Sequence, residues 1–339
     1  MNYSYRKQLE VIGEDSKPVS YNDFPCVSKS LLQTLEAMSS PMLHKWSKTS
    51  EYKNSSFLES CQGVTHDERY WYFTANGNNG RQGIFKYDQS MKKVGGLKLT
   101  GNTDLLSVRN IPTVKIPIRE QLIPVIGHVG DPDCYDGKIY IPVQNPHGFL
   151  VMDTSLHSDS VSWHPTEKIG DSHPWCAVNP WNDRLYTSKF NGTDDFEQKT
   201  MLYAYDRKTF KREKRDDIPL KVPTHRVQGG CFSNDGKLFL TSDAKGYTLA
   251  TTNHPKFQEI KNSGASLKPG ITCYSVINGH YFGAIGIKRE SSLLFKQEVE
   301  GIAYWAKKEN NKDTHLHLVL LENKLGTDEV FFKHFADSN

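Results

Sequence analysis

Apolar and polar positions fall into a repeated pattern along the chain. Four short runs of β-branched and aromatic residues, WYFTA, IYIPV, LYTSK and LFLTS, bring Tyr72, Tyr140, Tyr186 and Phe239 into register. Each follows a polar turn: Asp67-Glu68, Asp136-Gly137, Asn182-Asp183 or Asp235-Gly236. Asp-Gly and Asn-Asp supply the positive φ of tight hairpin turns, and the branched and aromatic residues suit a half-buried strand. Upstream of each turn lies a short apolar stretch with a small residue: Gly63, Asp131 or its neighbour Gly130, Ala177, and Gly230. The unit is therefore strand, turn, strand. A second hairpin follows in FKYDQSMKKV, LVMDTSLHSDSV and YAYDRKTFKREK, with Asp88, Asp153 and Asp206 at the turn and Asn253 in that place in the fourth unit. EVEGIAYW, from Glu298, opens a fifth unit around Gly301.

Four antiparallel strands per unit, recurring at intervals of tens of residues, predict an all-β protein, a β-propeller. Five blades fit the spacing. Six is the alternative, because GITCYSVINGHYFGAIGIKR, residues 270–289, reads either as an extra hairpin on the fourth blade or as the start of another. A large side chain on a first strand would not fit where neighbouring blades crowd the axis, which accounts for the small residues there. The last unit shows three strands before the sequence stops, and an unpaired edge would expose backbone donors and acceptors. RKQLEVI, residues 6–12, is the expected closing strand, so the ring is closed by an N-terminal strand. Leu31, Leu32, Leu35 and Met38 recur at helical spacing after a Ser cap and predict one N-terminal helix within residues 27–46. The organisation is residues 1–56 as closing strand and helical segment and 57–339 as propeller, one domain overall.

Charge and cysteines narrow the partners. With 42 basic and 39 acidic residues the formal net charge is +3, which gives no electrostatic reason to expect nucleic acid or an anionic membrane. The densest basic run, Arg207 to Arg215, is interleaved with Asp206 and Glu213 and reads as a solvated outer hairpin. The N-terminal residues show no apolar signal region, and no stretch approaches a membrane span. The reading is a monomer, with the cytoplasm favoured over secretion, although sequons at Asn54 and Asn191 admit the latter. None of the six cysteines forms a C-x-x-C pair, and Cys61, Cys134, Cys176 and Cys231 recur in the repeat as small core hydrophobes.

Standard catalytic motifs are missing, and the Gly-rich loop at 76–83 links strands and opens no helix. DPDCYDG, residues 131–137, lacks the spacing of a calcium-binding EF-hand loop. What remains is position. Side chains where first strands begin converge on one mouth of the axis: Gln62, His128, Asp131, Asp133, His173, His225, Gln228, Glu298 and Glu300. Buried carboxylates there need a cation or hydrogen-bond donors. Asp131, Asp133 and Glu300 are the candidate metal ligands, for Ca or Mg, and the histidines would turn the set towards a transition metal. His128, His173 and Glu300 are the candidate catalytic groups, and Gln62, His225, Gln228, Trp175 and Glu298 the candidate ligand contacts. The alternative is a polar, water-filled channel without metal. Trp71, Trp175, Trp181 and Trp305 either stack on a ligand ring or fill the wedges between blades, and His315 and His317 read as ordinary strand residues.

With its repeat and the Glu300-Gly301 pair at the mouth, the chain resembles the five-bladed β-propeller superfamily over residues 57–339. That group includes apyrase-type nucleotidases, five-bladed glycosidases and tachylectin-type lectins. The resemblance is architectural and carries no catalytic residues across. The channel-mouth residues favour a propeller binding a small molecule or glycan there, with or without a divalent cation. A metal-assisted hydrolase of phosphate esters, esters or glycosides at the same residues is the alternative. A non-catalytic protein-interaction platform is the third reading.

Overall fold

The computed structural model describes residues 46–54, 60–77, 81–99, 117–118, 121–122, 127–144, 146–169, 173–190, 200–221, 224, 226–233, 236–243, 270–287, 295–309, 312–324 and 328–337. The first strand, β1 (Trp46–Asn54), is set aside by the chain until its end is reached. Blade 1 then follows as β2 (Cys61–His66), β3 (Trp71–Gly77), β4 (Arg81–Tyr87) and β5 (Lys93–Lys98). A small pair, β6 (Pro117–Ile118) and β7 (Gln121–Leu122), precedes blade 2. Blade 2 is β8 (His128–Val129) with β9 (Asp133–Tyr135), then β10 (Lys138–Gln144), β11 (Gly148–Asp153) and β12 (Ser162–Pro165). Blade 3 is β13 (Ala177–Asn179), β14 (Arg184–Ser188), β15 (Met201–Asp206) and β16 (Ile218–Pro219). Blade 4 is β17 (Val227–Phe232), β18 (Lys237–Ser242), β19 (Gly270–Ser275) and β20 (Tyr281–Gly286). Blade 5 is β21 (Phe295–Glu309), β22 (Lys312–Lys324) and β23 (Glu329–Asp337), with β1 on its outer edge. All five sheets are antiparallel meanders, so the chain is a five-bladed β-propeller.

Two details correct the sequence reading. The ring is closed by an N-terminal strand, but that strand is β1, which pairs with β23 from Trp46↔Asp337 to Asn54↔Val330. Residues 6–12 and the helical pattern at 27–45 lie outside the described residues, and Trp46 already belongs to β1. The segment at 270–289 is neither an added hairpin nor a sixth blade. Its strands β19 and β20 are the outer half of blade 4, turned at Asn278-Gly279, where Gly279 has φ +66° and Asn278 Oδ1 accepts the His280 N–H. Asn253 lies outside the described residues.

The turns carry the chemistry their residues dictate. Asp136, Gly137, Asp183 and Gly236 all have positive φ. The Asp of the second hairpin closes its own loop: Asp88 Oδ1 accepts the N–H groups of Ser90 and Lys92, and Asp206 Oδ1 those of Lys208 and Thr209. The core is divided into five wedges, one between each pair of neighbouring blades. The period of two decides which wedge a residue joins. On β3, Trp71, Phe73 and Ala75 face blade 5, while Tyr72 faces blade 2. Tyr140, Tyr186 and Phe239, the aligned aromatics, likewise face the following blade. Cys61, Cys176, Cys231 and Cys273 are buried free thiols in these wedges, and burial pushes all of those that belong to the repeat upwards, away from nucleophilic chemistry. Among the described residues no helix is long and apolar enough to cross a membrane.

Candidate functional site

The mouth residues separate into an axial group and an off-axis group. At the centre of the axial group is Asp131, fully buried. Its Oδ1 accepts the Val64 N–H at 2.8 Å from blade 1, and its Oδ2 accepts Gly230 N–H at 3.1 Å from blade 4 and Ile302 N–H at 3.2 Å from blade 5. Its main chain bonds blade 3 in both directions, donating to Pro174 O at 2.9 Å and accepting from Cys176 N at 3.0 Å. One residue of blade 2 thus binds the other four blades. Glycines make the room. A Cβ on Gly63 or Gly301 would overlap Asp131, and one on Gly229 would lie 2.6 Å from Asp131 Oδ2. Burial pushes the carboxyl pKa up, and the three amides pull it back.

The polar residues around this centre owe their aim to β-bulges. Register breaks between Cys61 and Gly63, between Val227 and Gly229 and between Val299 and Ile302 hold Gln62, Gln228 and Glu300-Gly301. Gln62 is half-buried and its amide donates back to Ser60 O; Gln228 is half-buried too. Glu300 is buried, and its carbonyl accepts the Thr241 hydroxyl at 2.5 Å. Glu298 accepts the Asn323 amide at 2.7 Å. Asp133 lies further along blade 2, where its two oxygens accept Cys134 N–H and, across the wedge, Val178 N–H at 2.7 Å; burial pushes it up to about 6. His128 is exposed at the start of β8, and His225 lies outside the described residues. Trp175 is wholly buried between blades 3 and 4, its indole N–H bonded to Ser188 Oγ at 2.8 Å, so of the two roles its ring could play the wedge filler is the one seen. Among the described residues, no group of three or more His, Cys, Asp or Glu is arranged to hold a metal ion.

Blades are also stapled in pairs at this face. Asn76 takes both main-chain groups of Val129, each at 2.8 Å, joining blade 1 to blade 2. Asp243, at the matching place on blade 4, accepts Val299 N–H of blade 5 and the Arg226 guanidinium.

The off-axis group surrounds His173, just before the first strand of blade 3. His173 is 1% exposed, and neither ring nitrogen has a hydrogen-bond partner. The His147 ring lies 5.4 Å away centre to centre, Phe149 lies nearly parallel at 5.8 Å, and Tyr205 is at 6.5 Å. The Tyr205 and Thr166 hydroxyls are buried against each other. These residues pack in the wedge between blades 2 and 3, where β11 begins and β12 ends. Thr166 N–H bonds His147 O there, and Phe149 pairs with His164 across the two strands. His147 and Thr166 are half-buried, and His173 and Tyr205 are buried. Burial, with His147 adding to it, pushes the His173 pKa down to about 3. Position along the repeat singled out His173 but not Tyr205 or Thr166, which come from outer strands of two different blades.

The histidines of the opposite seam form a packed cluster. His317 Nδ1 lies 2.6 Å from His334 Nδ1, and the Trp71 ring packs on His317 between blades 5 and 1.

The same architecture occurs in a solved protein of very different sequence. The glutaminyl cyclase of Myxococcus xanthus superposes with a TM-score of 0.50 at 9% identity, over 86% of this chain and 96% of that one. The GH43 protein BlXynB of Bacillus licheniformis gives a TM-score of 0.47 at 10% identity, over 83% of this chain and 54% of that one. No family model and no curated protein matches the sequence. At such identities the likeness is one of fold, and function rests on this chain's own site.

Proposed function

We propose that the protein binds a small organic molecule at the seam between blades 2 and 3, with His173 as its main hydrogen-bonding contact. One observation carries the reading: both ring nitrogens of a fully buried histidine are left without a partner. A buried polar group without a hydrogen bond costs about 1–3 kcal/mol, so such groups call for an occupant. The axial cluster supports ligand binding less, because the oxygens of Asp131 and Asp133 are already met by backbone amides. The chemistry also favours binding over hydrolysis. A histidine with a pKa near 3 is a weak general base at neutral pH, and among the described residues no carboxylate raises it.

The test is a thermal-melt screen of small organic fragments against the wild type and His173→Phe. Fragments that bind at His173 stabilise the wild type by about 2.7 kcal/mol at a hundredfold excess over Kd and lose that effect in the variant. Hits that act equally on both proteins, or no hits at all, would overturn the reading.

A further inference from the structure

His66, His317 and His334 meet in the wedge between blades 5 and 1, where the ring closes. His317 on β22 and His334 on β23 stand directly opposite each other in register, with their Nδ1 atoms 2.6 Å apart. A hydrogen bond between two nitrogens has room for one proton. The other nitrogen of His317 settles which ring supplies it. His317 Nε2 lies 3.0 Å from Trp305 O, a carbonyl that can only accept, so Nε2 carries the hydrogen. Nδ1 of the neutral His317 ring is then bare, and His334 donates to it.

A further proton on His317 has one place to go, Nδ1, where an N–H already points. Two N–H groups cannot face each other at that distance, so the rings must part. The contact between blades rests on those rings. His317 is wholly buried, His334 is 8% exposed, and the Trp71 ring of blade 1 meets His317 edge-on at 4.7 Å. Phe332 packs on Trp71 at 4.9 Å and on His334 at 4.6 Å. The added charge would also stand in an apolar wedge, which disfavours it further.

We infer that the His317–His334 pair is an acid-sensitive latch: one proton between the rings holds blade 5 against blade 1, and a second proton opens that seam.

His66 crosses the same seam in the opposite sense. Its Nε2 lies 2.8 Å from Tyr304 O and its Nδ1 2.9 Å from Asp67 O, and its ring stacks on Trp305 at 4.4 Å. Both oxygens accept, so a proton on His66 adds a donor to the seam, although burial pushes its pKa down. The Asp67 carboxylate is engaged by the Arg69 and Tyr70 N–H groups and the Tyr72 hydroxyl. Cys61, Tyr52 and Tyr87 also face the wedge, Lys93 lies over Phe85 at 4.4 Å, and Lys98 is on the same strand as Lys93. Thiols, phenols and ammonium groups keep their protons in acid, so the opening belongs to the imidazoles.

The test follows backbone amide exchange of the full chain, corrected for the intrinsic rate, in β3 and β22 against β18 of blade 4. One refused proton changes an opening equilibrium by up to about tenfold for each pH unit below about 6.5, so protection of β3 and β22 is expected to fall by about that factor relative to β18. In His334→Gln the side-chain amide donates to the bare Nδ1 at neutral pH and, turned over, accepts from a protonated one. This variant is expected to stay closed in acid. No loss of protection in the wild type, or an undiminished loss in His334→Gln, would overturn the latch. His66→Phe is expected to leave the acid opening in place, and its disappearance there would move the decisive proton to His66 and overturn the proposal. Where a variant does not fold, 15N labelling of the wild-type histidines decides: a bare Nδ1 and a protonated Nε2 are expected on His317 at neutral pH, and an Nδ1–H on that ring would overturn the proposal.

Discussion

The axis and the wedge between blades 2 and 3 both bury ionisable side chains, and they treat them in opposite ways. Asp131 is surrounded by donors from three blades, at 2.8–3.2 Å. His173 is equally buried and meets no donor or acceptor at all. A buried polar group whose hydrogen bonds are complete holds the architecture together; one whose hydrogen bonds are missing marks work still to be done by something outside the chain. The two residues stood side by side as mouth candidates, and only the partner groups around them tell them apart.

The largest effect that would break this contrast belongs to Asp131. Asp131→Ala leaves three buried amides without an acceptor and is expected to cost about 3–5 kcal/mol, read as a drop in urea midpoint. Asp131→Asn is expected to cost nearly as much, since its amide nitrogen would face a backbone donor. Near-wild-type stability of the Asn variant would reduce the carboxylate to a space filler.

His173 gives the next effect. Its folded pKa lies below the unfolded value, so between about pH 6.5 and 3 the unfolded chain binds a proton that the folded one refuses. Stability is full above pH 6.5 and falls by up to about 1.4 kcal/mol for each pH unit below it. His173→Phe removes that part of the acid slope. An unchanged slope would show that His173 is not kept neutral by the fold.

The smallest expected effect separates the axis from a cation site. With the oxygens of Asp131 taken by amides, adding Ca²⁺ or Mg²⁺ after chelation is expected to leave the melting temperature unchanged. A shift of several degrees that disappears in Glu300→Gln would restore the cation at the mouth and make the axis, too, a ligand site.

The architecture was legible because each blade repeats the same local chemistry. Asp136-Gly137 and Asn182-Asp183 mark hairpins whatever surrounds them. The small residues Gly63, Ala177 and Gly230 mark the crowded first strands. The closing strand was harder to see: WSKTSEYKN is polar because it forms an outer edge, and its pairing with β23 is as non-local as the chain allows. The role of Asp131 was half visible. An acid standing where blades 1, 4 and 5 carry glycine occupies the space those glycines leave, a relation that exists only once the ring is closed. The His173 cluster was the least visible, because its residues come from β15, from the end of β12 and from the run before β13, and no sequence period links them.

The pairing of β1 with β23 also sets the order in which the ring can be completed during synthesis. Roughly 270 residues separate the two strands, so at about 5–20 residues per second the N-terminal strand waits on the order of 15–60 s for its partner. For that time the nascent protein is an open crescent with a bare edge at each end. The clasp that makes the finished ring continuous is also the last piece to arrive, and the interval before it closes is when a chaperone or a second nascent chain has its chance.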